Sequence, residues 1–115
     1  MSSDCLFCKI AAKQIPAKFL YEDDDLFVIG DINPQAPLHA LVIPRQHVGS
    51  LNELSPAQDA LIGKMTRRAA AVAREHGYAD RGYRTVFNTN AEAGQTVFHI
   101  HLHVLGGRSM TWPPG

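Results

Sequence analysis

A chain of 115 residues, 45% hydrophobic and 19% charged, holds material for one modest core. Lys plus Arg and Asp plus Glu are 11 each, so the formal net charge is zero and no basic stripe exists to hold a nucleic acid polymer. No apolar run approaches the ~18 residues of a membrane span, and residues 1–9 lack the apolar stretch of a secretory signal, so the expected address is cytoplasmic, away from membranes.

Taken in chain order, the two cysteines come first, as the C-x2-C pair Cys5 and Cys8. A reducing compartment disfavours a structural disulfide, which leaves a metal hook, a redox couple or two incidental thiols. Residues 6–12 form a short predicted helix, ended near Pro16. Residues 19–22 and 26–29 read as strands joined by the acidic turn Asp23-Asp24-Asp25. Two prolines make 31–37 a loop, and the apolar run 39–44 suits a buried strand. Ser55, Pro56 and Gln58 supply an N-cap, a first-turn proline and a capping-box partner. Leu61, Ile62, Met65, Ala69, Val72 and Ala73 then recur at helical spacing, and Gly77 stands just past the predicted end. His76, in the last turn, complements the helix dipole and is given no further role. Residues 83–88 and 97–105 are predicted strands around the loop 89–96. Five strands with one or two non-alternating helices predict an α+β fold, one domain over 1–115.

The last predicted strand carries the chemistry. Strict alternation puts Val97, His99, His101, His103 and Leu105 on one face and Phe98, Ile100, Leu102 and Val104 on the other, a core face. A lone strand histidine is ordinarily a satisfied polar residue. Three of the chain's six in register, about 6.5–7 Å apart, are a cluster of imidazoles that chance does not readily supply. Two readings compete. Adjacent His-x-His pairs would suit a catalytic metal, although the outer two lie too far apart on a straight strand to share one ion. Alternatively, an imidazole nitrogen attacks phosphorus while its other nitrogen is held by a hydrogen bond. The loop before the strand favours the second, because Gly94, Gln95 and Thr96 offer backbone N–H groups and side chains to anionic oxygens.

The run His99-Ile100-His101-Leu102-His103-Val104-Leu105 resembles the signature of the histidine triad (HIT) family, alternating histidine with apolar residues. The resemblance spans nearly the whole chain. Phe7-x-Lys9-Ile10, Ile15-Pro16-Ala17-Lys18, Asp31-Ile32-x-Pro34-Gln35-Ala36-Pro37, Leu41-Val42-Ile43-Pro44, Gly82-Tyr83-Arg84, Gly94-Gln95 and the ending Gly106-Gly107-Arg108-x-Met110-x-Trp112-Pro113-Pro114-Gly115 look like its Hint branch. The resemblance implies a HIT fold, a five-stranded antiparallel sheet with two helices, two copies joining in a homodimer. It implies hydrolysis of the P–N bond of purine nucleoside 5′-phosphoramidates through a nucleotidyl-histidine on His101. His103 would contact phosphate oxygen, the His99 carbonyl would orient the His101 ring, and His39 would support the network. Asn88, Gln95 and Thr96 would hydrogen-bond the phosphate or leaving group, with Gly94 and Val97 beside them. Asp31 would hold the ribose hydroxyls, and Leu6, Phe7, Ile10, Ile29, Ile32 and Leu41 would form the base pocket. Without the resemblance those six residues read equally well as core. Thr96 stands where this branch more usually has Ser, and its methyl stiffens the side chain. Trp112 would reach the partner subunit's site.

The same resemblance completes Cys5 and Cys8 as a structural zinc site with His47 and His99, leaving catalysis without a cofactor. A redox role for the pair finds no thioredoxin-like βαβ setting. Three other functions stand beside this one: dinucleoside polyphosphate hydrolysis with the same nucleophile, a metal-dependent hydrolase, and a nucleotide-binding interaction protein.

Overall fold

The computed structural model describes residues 4–115. The chain runs α1 (Leu6–Ala11), β1 (Phe19–Glu22), β2 (Leu26–Gly30), β3 (Leu38–Pro44), α2 (Asp59–Glu75), β4 (Tyr83–Val86) and β5 (Leu102–Gly106), with short 3-10 turns at Leu51–Glu53, Pro56–Gln58 and Ala91–Ala93. The strands form one sheet in the order β1-β2-β3-β5-β4, and every neighbouring pair is antiparallel. The α+β architecture expected from the sequence is the one observed.

Alternation within the strands sorts side chains onto two faces. Leu26, Val28, Leu38, Ala40, Val42, Leu102 and Val104 pack against Met65, Ala69, Val72 and Ala73 of α2. Phe27, Ile29, Leu41 and Ile43 project the other way and pack against Phe7 and Ile10 of α1. His39 and His103 share the parity of Leu41 and so emerge on the α1 face, across the register pair Leu41–His103.

Local chemistry fixes the element ends. Ser55 and Gln58 do form the capping box, but around the 3-10 turn, and the α-helix proper starts at Asp59. Gly77, at φ +85°, ends it, and the Tyr78 N–H returns to the Ala73 carbonyl at 2.8 Å. Between β1 and β2, Asp23 Oδ1 accepts from the N–H groups of Asp25 and Leu26 at 2.8 and 2.9 Å, and Lys64 of α2 bridges to Asp23 and Asp25. Burial of the Asp23 carboxyl works against ionisation, but these two amides, Tyr21 and Lys64 outweigh it and hold its pKa well below the usual value.

One expectation is corrected. The histidine strand was expected over 97–105, and only Leu102–Gly106 is strand. β3 pairs with β5 no further than Val42–Leu102; Pro44, two residues on, has no N–H to give, and its carbonyl is taken by the His99 ring at 2.7 Å. Ile100 instead donates its N–H to the Val48 carbonyl at 2.7 Å. The bend upsets the alternation: Phe98, expected in the core, is 52% exposed, while His99 is wholly buried. The fourth strand is likewise shorter than expected, ending at Val86.

Candidate active site and metal cluster

Each imidazole faces a partner that determines which of its nitrogens carries the proton. His101 Nδ1 lies 2.8 Å from the His99 carbonyl, an acceptor only, so Nδ1 holds the proton and Nε2 keeps a free lone pair. Burial lowers the His101 pKa, against the His99 carbonyl and the Asp31 charge that raise it, so the ring is neutral at neutral pH. Phe7 meets the His101 ring edge-on at 5.0 Å between centroids.

A second chain of contacts runs the opposite way. The Gln35 N–H points at His39 Nδ1 (3.0 Å), so the proton of His39 is on Nε2. That Nε2–H faces His103 Nδ1 at 2.9 Å and Asp31 Oδ2 at 3.4 Å. His103 Nδ1 is therefore an acceptor, and its proton sits on Nε2. Burial first, then the neighbouring His101 and His39, lower the His103 pKa to about 4, so it too is neutral. Two adjacent rings, 5.1 Å apart, thus differ in kind: His101 offers a nucleophilic nitrogen and His103 an N–H donor.

His99, the first histidine of the run, has left that pair. Its Nε2–H donates to Pro44, which turns the bare Nδ1 toward Cys5 Sγ at 3.3 Å, Cys8 Sγ at 3.6 Å and His47 Nδ1 at 3.1 Å. All four donor atoms lie within 4.8 Å of one another. Tetrahedral zinc with bonds of about 2.0–2.3 Å needs neighbouring N and S ligands about 3.3–3.8 Å apart. The cluster matches that spacing closely, and a zinc-binding histidine ordinarily donates its other N–H to a carbonyl, as His99 does. Asp31, His39 and His103 also lie within 4.8 Å, but there the Gln35 N–H occupies His39 Nδ1 and the facing Nε2 carries a proton rather than a lone pair. The donor set fits a metal at the first cluster and a hydrogen-bond chain at the second.

A family model described as the scavenger mRNA decapping enzyme C-terminal binding region matches residues 4–112. A HIT family hydrolase from Legionella pneumophila Philadelphia 1 superposes with a TM-score of 0.96 at 48% identity, covering 97% of this chain and 100% of that one. This chain belongs to the histidine triad family. It is a hydrolase of the histidine triad type, and its five-stranded sheet is the HIT fold. The purine nucleoside phosphoramidase of Escherichia coli K12 is 41% identical over 96% of this chain and 92% of that protein. A zinc-bound histidine triad protein from Mycobacterium smegmatis has a TM-score of 0.78 at 40% identity, covering 91% of this chain and 76% of that one.

Other residues singled out from the sequence fall into three groups. Phe7, Ile10, Ile29 and Leu41 are buried together beneath α1, whereas Leu6 and Ile32 are exposed outside that cluster. Thr96 is exposed beside Val97, Asn88 is half-buried, and Gly94 takes the left-handed conformation (φ +89°) that closes the turn before them. Gln95 departs from expectation. Its amide is spent on the protein itself, donating to the Gly49 carbonyl (2.8 Å) and the Val97 carbonyl (3.2 Å) and accepting from the Asn90 N–H (2.8 Å). It braces the loop and leaves no side-chain hydrogen to donate to a phosphate. Sequence reasoning missed the Gln35 N–H and the Pro44 carbonyl, which fix the histidine tautomers; backbone groups leave no trace in residue type.

Proposed function

We propose that this protein hydrolyses the P–N bond of purine nucleoside 5′-phosphoramidates, releasing a nucleoside monophosphate and an amine. The observation that carries the reading is the pair of opposed contacts, the His99 carbonyl at His101 Nδ1 and His39 Nε2 at His103 Nδ1, which place the two ring protons on opposite nitrogens. His101 Nε2 attacks the α-phosphorus and the P–N bond breaks; the leaving nitrogen takes a proton from solvent and departs as the amine, and a nucleotidyl-histidine remains. The His99 carbonyl, already on Nδ1–H, and the nearby Asp31 charge stabilise the positive ring that results. His103 Nε2–H binds a phosphate oxygen. Water then cleaves the P–N bond to His101 and regenerates the ring.

Asp31 holds the ribose hydroxyls, and Phe7, Ile10, Ile29 and Leu41, with Leu6 and Ile32 at the rim, receive the base. The N–H groups at Gly94, Thr96 and Val97, with Asn88, face the phosphate. A structural zinc on Cys5, Cys8, His47 and His99 pins the segment carrying the nucleophile. The enzyme acts as a homodimer in which Trp112 reaches the partner's site. No helix among the described residues is long and apolar enough to cross a membrane; we place the protein in the cytoplasm, where reducing conditions keep the two thiols available to metal.

The test is turnover of adenosine 5′-phosphoramidate by wild type and His101→Ala, with a diadenosine polyphosphate as competing substrate. Losing a covalent nucleophile should slow the reaction on the order of 10³-fold or more. A His101→Ala protein that keeps most activity overturns the nucleophile assignment. Faster cleavage of the diadenosine compound overturns the substrate class, and binding of AMP without turnover leaves a nucleotide-binding protein.

A further inference from the structure

We infer that Arg108 is a positioning residue for the catalytic histidines, acting through the backbone of Gln35; the inference rests on the proposed phosphoryl chemistry. The donor character of His103 depends on a relay whose first member is the Gln35 N–H on His39 Nδ1. The other tautomer of His39 would carry its proton on Nδ1 and turn a lone pair toward His103, reversing both tautomers. The position of the Pro34–Gln35 peptide, which carries this N–H, therefore decides the chemistry of a ring two steps away. That peptide lies on an exposed loop, where little packing restrains it.

Arg108 supplies the restraint. Its Nε–H donates to the Gln35 carbonyl at 2.8 Å, across 73 residues of sequence. The Gln35 side chain braces the same loop by donating to the Asn33 carbonyl at 3.0 Å. Arg108 reaches this place because Gly107 passes hard against the loop. A Cβ on Gly107 would lie 2.8 Å from Pro37 Cβ and from the Tyr78 hydroxyl, and its φ of +98° disfavours any side chain. Among the described residues no carboxylate lies within ion-pair distance of Arg108. It donates to carbonyls, of Gln35 and, at 3.2 Å, of Ser109. The segment following β5 is thus fastened to the loop preceding β3 at the Gln35–Ala36 peptide, one Cα beyond the N–H that sets the His39 ring.

The experiment compares wild type, Arg108→Ala and Arg108→Lys, with nitrogen-15 labelled histidine and no substrate. Long-range proton–nitrogen spectra report the tautomer of each ring directly, so this arm stands even if adenosine 5′-phosphoramidate proves not to be a substrate. Wild type should show His39 and His103 protonated on Nε2 and His101 on Nδ1. Arg108→Ala should give His39 a mixed tautomer and lower kcat for the phosphoramidate about five-fold, the size of one lost hydrogen bond, with KM within about two-fold. Arg108→Lys, which keeps an N–H donor, should recover most of both. Unchanged ring spectra in Arg108→Ala overturn the inference whatever happens to kcat, and so does a wild-type His39 protonated on Nδ1.

Discussion

At the scale of single residues, His99 has two separate tasks. Its ring turns toward the cysteines while its carbonyl holds His101, so one residue ties the candidate metal cluster to the proposed nucleophile. Neutrality is the other residue-scale property, and it has a consequence for stability. His103 is held at a pKa of about 4, against an ordinary value of 6.5, by burial and then by His101 and His39, with Asp31 opposing. Above pH 6.5 the ring is neutral in both folded and unfolded chains and costs nothing. Between 6.5 and about 4 the unfolded chain takes up a proton that the native ring refuses, so stability falls as pH falls through that window. Below it the loss from this ring is complete. His103→Asn should therefore flatten the decline in urea midpoint between pH 7 and pH 4, although its stability at pH 7 drops through loss of the His39 contact. An unaltered pH slope in the variant would show that His103 does not bear this penalty.

At the scale of elements, α1 is the part that cannot stand alone. Six residues make too few helical bonds to persist unaided. Cys5 caps the helix, its Sγ accepting from the Cys8 N–H at 3.4 Å, and both sulfurs converge on His99 and His47. Phe7 on the same helix touches His99 and His101 at centroid distances of 5.8 and 5.0 Å. Losing the proposed metal hook should release a wall of the proposed base pocket as well as a cap. We expect about one zinc per chain in protein purified without added metal, and loss of it in Cys8→Ala. That variant should melt roughly 10 °C lower or more and show a raised KM for nucleotide. Metal content far below one per wild-type chain, or a Cys8→Ala protein with unchanged melting temperature, would remove the structural role.

At the scale of the whole molecule, the sheet separates two unequal jobs. The α2 face is continuous apolar core, whereas the α1 face combines a smaller core with the imidazoles and the thiols. β4 forms one edge of the sheet, with Tyr83 exposed, and Trp112 is 82% exposed. A large aromatic left in solvent belongs with the proposed dimer, in which it borders the site of the other copy. A chain truncated before Trp112 should keep its affinity for AMP within about two-fold, since none of the proposed nucleotide contacts is removed, yet change its preference among leaving amines. Kinetics with a small and a bulky amine would settle the matter; identical selectivity in the truncated chain counts against a role for Trp112 at the site.

The sequence by itself located the five strands, two of them from continuous apolar runs, though not the late start of the histidine strand, and Ser55, Pro56 and Gly77 carried the ends of α2 within a few residues. It also singled out the candidate residues: three histidines at alternate positions and a C-x2-C pair are chemical statements before any folding. Tertiary structure alone decided which nitrogen of each ring carries the proton. Alternation put His99, His101 and His103 on one face, and the end of β3 at Pro44 broke that symmetry, sending His99 inward to the thiols. It also decided that Gln95 braces a loop, that Leu6 and Ile32 stand clear of the apolar cluster, and that Gln35 governs the His39 ring. The reason is the same in each case. These assignments depend on peptide N–H and carbonyl groups, which every residue type shares and only the path of the chain can aim.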